Sequence, residues 1–289
     1  MTRATPYVNS RPDPIPAIVL ARGLGRRMRE DDAVTAGRLT AEQARAAGAG
    51  LKSLMPMSAG DRPGRPFLDY VLAGLADVGI GDVALVVGPE HDALRRQYDG
   101  ASAPARLQLS FVVQEQPIGT ADAILSAAAF VGSRPFLSLN ADNLYPETCL
   151  RDLLALDGPG LPAFERDDLI RSSGIPASRV GSFALLDVDP DGALRDIVEK
   201  PGEAAVAAAG PRARVSMNVW RFDERIFDAC RDVPRSARGE LELPEAVRLA
   251  VRRGVRFTVV PARGPVLDLS RREDVPFVAA TLADRAIRL

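Results

Sequence analysis

A glycine-rich turn near the start of the chain has the composition of a phosphate-binding loop. Residues 20–29, LARGLGRRMR, end a short apolar run over residues 15–21. Glycines that follow a strand let backbone N–H groups approach phosphate oxygens, and nearby arginines neutralise a polyphosphate. The turn is not the GxxxxGK[ST] phosphate loop, and it lacks the third glycine of the dinucleotide fingerprint. It predicts a phosphate site without choosing the ligand.

Lysine is confined to two positions, and each lies in a short pattern that could do chemistry. Of the 37 basic residues, 35 are arginines and only Lys52 and Lys200 are lysines. Lys52 lies in LKSLMP downstream of the glycine turn, and Lys200 lies in VEKPG at the end of a predicted strand. An ammonium is a compact charge, whereas a guanidinium is a broad planar fork. A tight phosphate pocket can require the first and reject the second, although two lysines can also survive by chance.

Residues 114–121, QEQPIGTA, place a glutamine before a glycine–threonine pair that begins a helix. The Gln114 side chain offers a donor and an acceptor, which is enough to contact a base edge at two points. Gly119 and Thr120 would then bring the start of the helix towards the ligand. The alternative interpretation is a polar loop with an ordinary helix cap.

Two aspartates each follow a short apolar run. Asp142 lies in LNADN and Asp268 lies in VLDLS. Mg²⁺ prefers carboxylate and phosphate oxygens and keeps several waters, so both aspartates are candidate ligands. Asp142 is also compatible with a plain turn, and Asp268 with an N-cap for the last helix.

Strands and helices alternate in the first half of the chain. The hydrophobic pattern predicts strands over residues 15–21, 83–87, 107–113 and 136–139, and helices over residues 66–78 and 120–130. This alternation predicts an α/β fold with a mostly parallel sheet and helices on both faces. Ligands bind beyond the carboxyl ends of the strands in such sheets, and both the glycine turn and Asp142 fall there.

The second half has a different, more β-rich pattern. It predicts a hairpin of residues 180–188 and 193–198 around DPDG, strands over 215–222 and 255–260, and helices over 244–251 and 271–283. Residues 1–14 predict a flexible lead, and residues 31–50 contain a helix-like insert.

Composition narrows the possible classes of protein. A net charge of −1 argues against binding nucleic acid through bulk electrostatics, and no apolar run approaches the length of a bilayer span. The single histidine, His91, disfavours a histidine-rich metal site or a histidine-based triad. Two cysteines do not make a disulfide framework, and the start lacks an apolar signal region, so we expect a cytoplasmic protein.

Taken in chain order, these motifs resemble those of the sugar-1-phosphate nucleotidyltransferases. The opening pattern of that family, LAxGxGTRM followed by KxLxP, corresponds to residues 20–28 and 52–56. Its base-contacting Gln before Gly-Thr, its Gly-Asp-Asn, its Glu-Lys-Pro and its Gly-Glu-Leu-x-Leu correspond to residues 114–120, 141–143, 199–201 and 239–243. Its W-x-D-x-G-T matches only at Asp268. The matches run from residue 17 to about residue 278.

The resemblance implies a role for each matching residue. The nucleotide would contact Leu20, Ala21, Gly23, Leu24, Gly25, Arg26, Gln114, Gly119 and Thr120. The catalytic residues would be Arg27, Lys52, Asp142 and Lys200. The sugar phosphate would contact Glu199, Lys200 and either Ser216 or Asn218. Asp142 and Asp268 would hold Mg²⁺.

The resemblance also implies a fold and a reaction. The expected fold is a three-layer α/β/α, Rossmann-like nucleotide-diphospho-sugar transferase domain over residues 15–289. Residues 15–145 would mainly bind the nucleotide, and residues 146–289 would mainly bind the sugar phosphate. The sugar 1-phosphate would attack the α-phosphate of an NTP in line, with Mg²⁺, giving an NDP-sugar and pyrophosphate. Partners would be these small molecules, with no nucleic acid or membrane, in a possible homo-oligomer.

Several features depart from the family pattern and leave the base, the sugar and the oligomeric state open. Arg22 and Arg26 stand where a small residue and Thr or Ser are usual. Lys52 follows Met28 by 24 positions, so the loop over residues 29–51 is enlarged. One alternative is a CTP-type nucleotidyltransferase, which the Ala-Arg pair at residues 21–22 suggests. Another is an inactive regulatory paralogue that binds a nucleotide-sugar, and a dinucleotide oxidoreductase is disfavoured by the missing third glycine.

Overall fold

The computed structural model describes residues 14–23, 25–30, 37–57, 64–100 and 103–289. Except for Pro14, the predicted flexible lead lies outside the described residues, as does Leu24. The strands are β1 (Ala17–Leu20), β2 (Pro56–Met57), β3 (Arg65–Pro66), β4 (Asp82–Val87), β5 (Gln108–Val113), β6 (Phe136–Asn140), β7 (Asn143–Leu144), β8 (Gly160–Glu165), β9 (Ala184–Val188), β10 (Leu194–Val198), β11 (Arg214–Ser216), β12 (Val219–Phe222), β13 (Thr258–Ala262) and β14 (Leu267–Asp268).

The helices alternate with these strands. They are α1 (Arg26–Arg29), α2 (Ala41–Ala49), α3 (Phe67–Asp77), α4 (Asp92–Gln97), α5 (Thr120–Ser126), α6 (Ala128–Val131), α7 (Glu147–Leu154), α8 (Arg166–Ser172), α9 (Ala177–Val180), α10 (Glu203–Ala209), α11 (Arg225–Asp232), α12 (Leu243–Arg252) and α13 (Asp274–Leu282). Within the described part of the chain, no helix is both long and apolar enough to cross a membrane.

A parallel sheet forms the first half, as the sequence predicts. Strands β6, β1, β4 and β5 lie side by side in that order, and each neighbouring pair is parallel. In β1, Ala17 and Val19 belong to one buried cluster and Ile18 to another, because successive side chains point to opposite faces of a sheet. Helix α3 packs in the first cluster and α5 in the second. The expected α/β fold, with helices on both faces of the sheet, is therefore confirmed, and the strands of its first half are parallel.

The second half extends the same sheet with mostly antiparallel pairs. The order continues from β6 through β12, β8, β11 and β9 to β10, while β13 pairs with β8 in parallel. The predicted hairpin is confirmed as β9 and β10. The single strand predicted over residues 215–222 is wrong: β11 and β12 are separate, because Asn218 between them has a φ of 59° and the chain changes neighbours there.

The enlarged insert carries the predicted helix, α2. Its start is closed by a capping box, in which the Thr40 side chain accepts from Gln43 N and the Gln43 side chain accepts from Thr40 N. Its end is closed by Gly50, which adopts a φ of 72°. The cap at Gly50 ends the helix at Ala49, three residues before Lys52.

Candidate active site

A cleft of about 400 Å³ opens beyond the carboxyl ends of β1 and β6. It brings together the described residues predicted to bind the nucleotide and three of the four predicted catalytic residues, although they come from four separate stretches of sequence. The predicted residues that line it are Leu20, Ala21, Gly23, Gly25, Arg26, Arg27, Lys52, Gln114, Gly119, Thr120 and Asp142. Arg26 and Arg27 are exposed at its edge, so their charge is available to a polyphosphate.

The glycine turn and the insert meet at a very close backbone contact. Gly25 has a φ of 59°, and a Cβ built on it would lie 2.3 Å from the carbonyl oxygen of Gly50. Only glycine allows this approach. Because only Leu51 separates Gly50 from Lys52, and Lys52 N donates to Gly50 O at 3.0 Å, the contact holds the lysine beside the turn.

Lys52 and Asp142 form an ion pair on the wall of the cleft. The distance from Lys52 Nζ to Asp142 Oδ2 is 3.0 Å, and the two side chains are 17% and 23% exposed. Asp142 lies in the turn between β6 and β7, where Ala141 N donates to Leu20 O. The two charges are thus partly open to a ligand, and a bound phosphate or cation can exchange with either partner.

The segments that carry Asp268 and Asp142 are bonded to each other through the main chain, but the Asp268 carboxylate is bound by other side chains. Strand β14 pairs Asp268 with Asn143, and Leu269 N donates to Asp142 O at 2.9 Å. The carboxylate of Asp268 accepts from Asn143 Nδ2 at 3.1 Å, from Ser270 Oγ at 2.9 Å and from the guanidinium of Arg179.

Arg179 binds two buried carboxylates at once. Its second nitrogen donates to Asp274 Oδ1 at 2.6 Å, and all three side chains are at least nine-tenths buried. Burial raises the pKa of Asp268; Arg179 opposes this shift, whereas the charge of Asp142 adds to it. Asp268 does not line the cleft, so the structure brings it near Asp142 without presenting it to the ligand.

The donor groups fit a magnesium ion at Asp142 better than at Asp268. Mg²⁺ is usually held by one or two carboxylates together with substrate phosphates and waters. Asp142 offers an accessible carboxylate on the cleft, whereas three of the roughly four acceptor positions of Asp268 are occupied. No cluster of three or more His, Cys, Asp or Glu side chains suited to a metal occurs among the described residues. A metal ion here would depend on substrate phosphates for part of its coordination.

Gln114 forms part of the floor of the cleft and is only 3% exposed. Its Nε2 donates to Gly119 O at 2.9 Å and to Asp122 Oδ2 at 2.8 Å. The loop that follows is tied to residues 239–243, because Leu241 N donates to Ile118 O at 2.7 Å.

A second cavity of about 150 Å³ adjoins the cleft and contains the other lysine. The two share four lining residues, Leu20, Thr120, Asn140 and Glu240. Lys200 has a φ of 49°, an uncommon backbone conformation for a residue with a side chain, and its Nζ lies 3.4 Å from Glu199 Oε1. Burial raises the pKa of Glu199, and the nearby charge of Lys200 opposes that shift.

The structure separates the two candidates for the sugar contact. Asn218 lines the second cavity, whereas Ser216 is completely buried and is not among the lining residues. The Ser216 hydroxyl instead accepts from Asn218 N at 3.4 Å, and Tyr145 Oη donates to Met217 O at 2.7 Å. Ser216 therefore supports the turn that carries Asn218.

Several lining residues were not assigned a role from the sequence, among them Arg22, Asn140, Arg238 and Glu240. Arg238 could have been found, because it directly precedes the Gly-Glu-Leu-x-Leu motif and adds a cation beside Lys200. In the structure Arg238 contacts Glu242 at 2.7 Å. The sequence marked Arg22 only as a departure from the family pattern, which usually has a small residue at this position.

Comparison with known proteins identifies the family of the chain. The nucleotidyl transferase family model matches residues 52–265. A nucleotidyltransferase of low-salt glycan biosynthesis, Agl11 of Haloferax volcanii, is 26% identical over 229 residues, covering 78% of this chain and 58% of its own length. A glucose-1-phosphate thymidylyltransferase of Streptomyces antibioticus is 26% identical over 280 residues, covering 93% of this chain and 66% of its own. The chain thus spans less than two thirds of these relatives.

Solved structures share the fold. A UDP-glucose pyrophosphorylase crystallised with UDP-glucose superimposes with a TM-score of 0.70 at 18% identity, covering 94% of this chain and all of the other. The UTP-bound enzyme of Acinetobacter baumannii gives the same TM-score at 16% identity, covering 95% of each chain. The resemblance inferred from the motifs is confirmed, and the chain belongs to the nucleotidyl transferase family.

Proposed function

We propose that this protein transfers a nucleotidyl group from an NTP to a sugar 1-phosphate and releases pyrophosphate. The observation that carries the proposal is the arrangement of two adjoining cavities, each with its own lysine. Lys52 lies in the larger cleft and Lys200 in the smaller cavity, and the two share one rim. A nucleotide in the first and a sugar phosphate in the second would meet at that rim, where in-line attack requires both reactants.

The chain's own residues would act mainly by positioning and by neutralising charge. Arg27 and the backbone at Gly23 and Gly25 would hold the triphosphate, and Lys52 would bridge the phosphates of the two substrates. Fixed cations at the reacting phosphates stabilise the charge that develops in the transition state without further reorganisation. No nucleophilic side chain is needed, because the sugar-phosphate oxygen itself attacks the α-phosphorus.

Asp142 would hold the metal ion. Mg²⁺, when bound, supplies charge neutralisation and a template at the α-phosphate. Asp268 would be a second ligand only with Arg179 moved off its carboxylate, because the guanidinium occupies one of its oxygens. The Lys52 ammonium, which pairs with Asp142 Oδ2, would turn to the substrate phosphates.

The smaller cavity has the groups that a sugar phosphate requires. Lys200 and Arg238 would bind the phosphate, while Glu199 and Asn218 would contact hydroxyls. A carboxylate in this buried position accepts hydrogen bonds from hydroxyl groups, and leaving such a carboxylate unpaired is costly. Residues 15–145 would then mainly serve the nucleotide and residues 146–289 the sugar phosphate, with Leu20, Thr120, Asn140 and Glu240 common to both cavities.

Pyrophosphate release from each pairing of an NTP with a sugar 1-phosphate, assayed with Mg²⁺, tests the proposal. The panel should contain ATP, GTP, CTP, UTP and dTTP, since relatives include thymidylyltransferases and the structural neighbours include a UTP-bound enzyme. We expect one NTP to react at least ten times faster than the others with its preferred sugar phosphate. Nucleotide binding without release for any pair would contradict transferase activity and favour a binding paralogue.

A further inference from the structure

The main chain at the base-contacting glutamine is braced by Arg22. The Arg22 side chain is only 8% exposed, and its guanidinium donates to the carbonyl oxygen of Gln114 and, at 3.3 Å, to that of Glu115. Its Nε lies 3.5 Å from Glu90 Oε1, on the loop after β4. These carbonyls lie just beyond the end of β5, where no further strand residue pairs with them. A planar fork with several donors is suited to holding two successive carbonyls.

The side chain of Gln114 is held in one orientation by its acceptors. Gly119 O and Asp122 Oδ2 lie 2.9 and 2.8 Å from Nε2, so both amide hydrogens are used. A carbonyl and a carboxylate can only accept hydrogen bonds. Turning the amide over would set its oxygen against two other oxygens, so the network itself assigns the nitrogen to this side.

An oriented glutamine can offer a ligand only one kind of hydrogen bond. With both N–H groups engaged, Oε1 is the polar atom of the side chain that is left, and it accepts. A free glutamine could instead accept from one base and donate to another, because its amide turns readily. Because the amide is fixed, its contact selects among bases. A base that places an acceptor at Oε1 would leave that oxygen buried without a hydrogen-bond donor.

We propose that Arg22 and Asp122 are positioning residues that present Gln114 to the base as an acceptor, so that the base must bring an N–H group to Oε1. The proposal rests on the proposed function, because it presumes that an NTP occupies the cleft. Arg22 fixes the main chain of the loop and Asp122 fixes the side-chain amide. Neither residue is asked to contact the base.

Nucleotide binding by the full chain, measured calorimetrically with each of the five NTPs, tests the role of Asp122. Asp122→Ala should lower the ratio of affinities between the preferred NTP and the others by roughly ten-fold. Leaving one buried polar group unpaired costs a binding free energy that corresponds to about that ratio. Asp122→Asn keeps an acceptor oxygen and should restore the wild-type ratio. Asp92→Ala is the matched control, since Asp92 also lies in the first turn of a helix but is exposed and contacts Arg95.

A second pair of measurements separates the proposed role of Arg22 from phosphate binding. Arg22→Met keeps the apolar stem and removes the donors, so base selectivity should fall while affinity for inorganic tripolyphosphate stays unchanged. A loss of tripolyphosphate affinity would assign Arg22 to the phosphates and overturn its positioning role. Turnover with the preferred NTP should show a raised KM and a nearly unchanged kcat for both Arg22→Met and Asp122→Ala.

The outcomes distinguish this inference from the proposed function. Wild-type selectivity retained in Asp122→Ala refutes the positioning role of Asp122 while leaving nucleotidyl transfer intact. A wild-type protein that binds all five NTPs equally refutes the inference as well. A wild-type protein that binds none of them refutes both.

Discussion

Gly119→Ala is the most direct test of how the loop that follows Gln114 is built. Gly119 has φ 135° and ψ 171°, a region that is essentially restricted to glycine. A Cβ there would lie 2.2 Å from Leu241 O and 2.4 Å from Leu241 N. The same two atoms form hydrogen bonds with residues before and after Gly119. Leu241 N donates to Ile118 O at 2.7 Å, and Leu241 O accepts from Ala121 N at 2.9 Å. The added methyl group must therefore separate the loop from residues 239–243.

The expected loss of stability follows from three contributions. Backbone strain at such a position is worth about 1–3 kcal/mol. The two backbone hydrogen bonds contribute about 0.5–1.5 kcal/mol each. Alanine offsets about 0.4–1 kcal/mol by reducing the conformational freedom of the unfolded chain. The free energy of unfolding should fall by about 3 kcal/mol, within a range of roughly 1–5 kcal/mol.

Urea denaturation followed by tryptophan fluorescence measures this change. The chain has one tryptophan, Trp220, which is completely buried in the second core cluster. Gly48→Ala is the matched control, because Gly48 lies within α2 with nothing within 4 Å of a new Cβ. That control should gain up to about 1 kcal/mol from helix propensity. If Gly119→Ala stays within about 0.5 kcal/mol of the wild type, the tight contact with Leu241 does not hold the loop.

Three further predictions concern charge. Asp142→Asn should lower Mg²⁺-dependent pyrophosphate release by roughly 100-fold or more with circular dichroism unchanged, and an unchanged rate would remove Asp142 from the site. Lys52→Arg and Lys200→Arg keep the charge but change its shape, so each should reduce kcat/KM by at least about ten-fold; normal turnover of both would make the two lysines incidental. Burial lowers the pKa of His91 below its ordinary value of 6.5, and the Nδ1 that accepts from Gly88 N at 3.1 Å must be unprotonated to do so. Since the unfolded chain then binds more protons, the free energy of unfolding should fall as the pH drops through 6.5, and His91→Gln should lessen that slope in urea titrations at pH 7.5 and 5.5. An identical slope in the variant would show that His91 does not contribute.

Elements with a strong local pattern were predicted well. The apolar run that became β1 and the DPDG turn between β9 and β10 each encode their structure in neighbouring residues. Strand β8 was not predicted, because Gly160 and Pro162 dilute its hydrophobic pattern. It lies in the middle of the sheet all the same, since pairing with β11, β12 and β13 outweighs weak local preference.

The sequence by itself determined the family of the protein and predicted most of the residues that line the cleft. The glycine turn, Lys52, Gln114 and Asp142 were predicted together because each motif needs particular residue types at short spacing, and the cleft contains all of them. The sequence also placed the two lysines in two different motifs, and in the structure Lys52 and Lys200 line adjoining cavities.

Only the tertiary structure decided which side chains remain available to a ligand. Asp268 matches a metal-binding motif, but Arg179, 89 positions away in the chain, occupies its carboxylate. Ser216 and Asn218 are equivalent in sequence terms, yet one is buried under the turn and the other lines the cavity. The physical reason is the same in each case. Residue type sets what a side chain can bind, whereas its long-range partners set whether that capacity is already used.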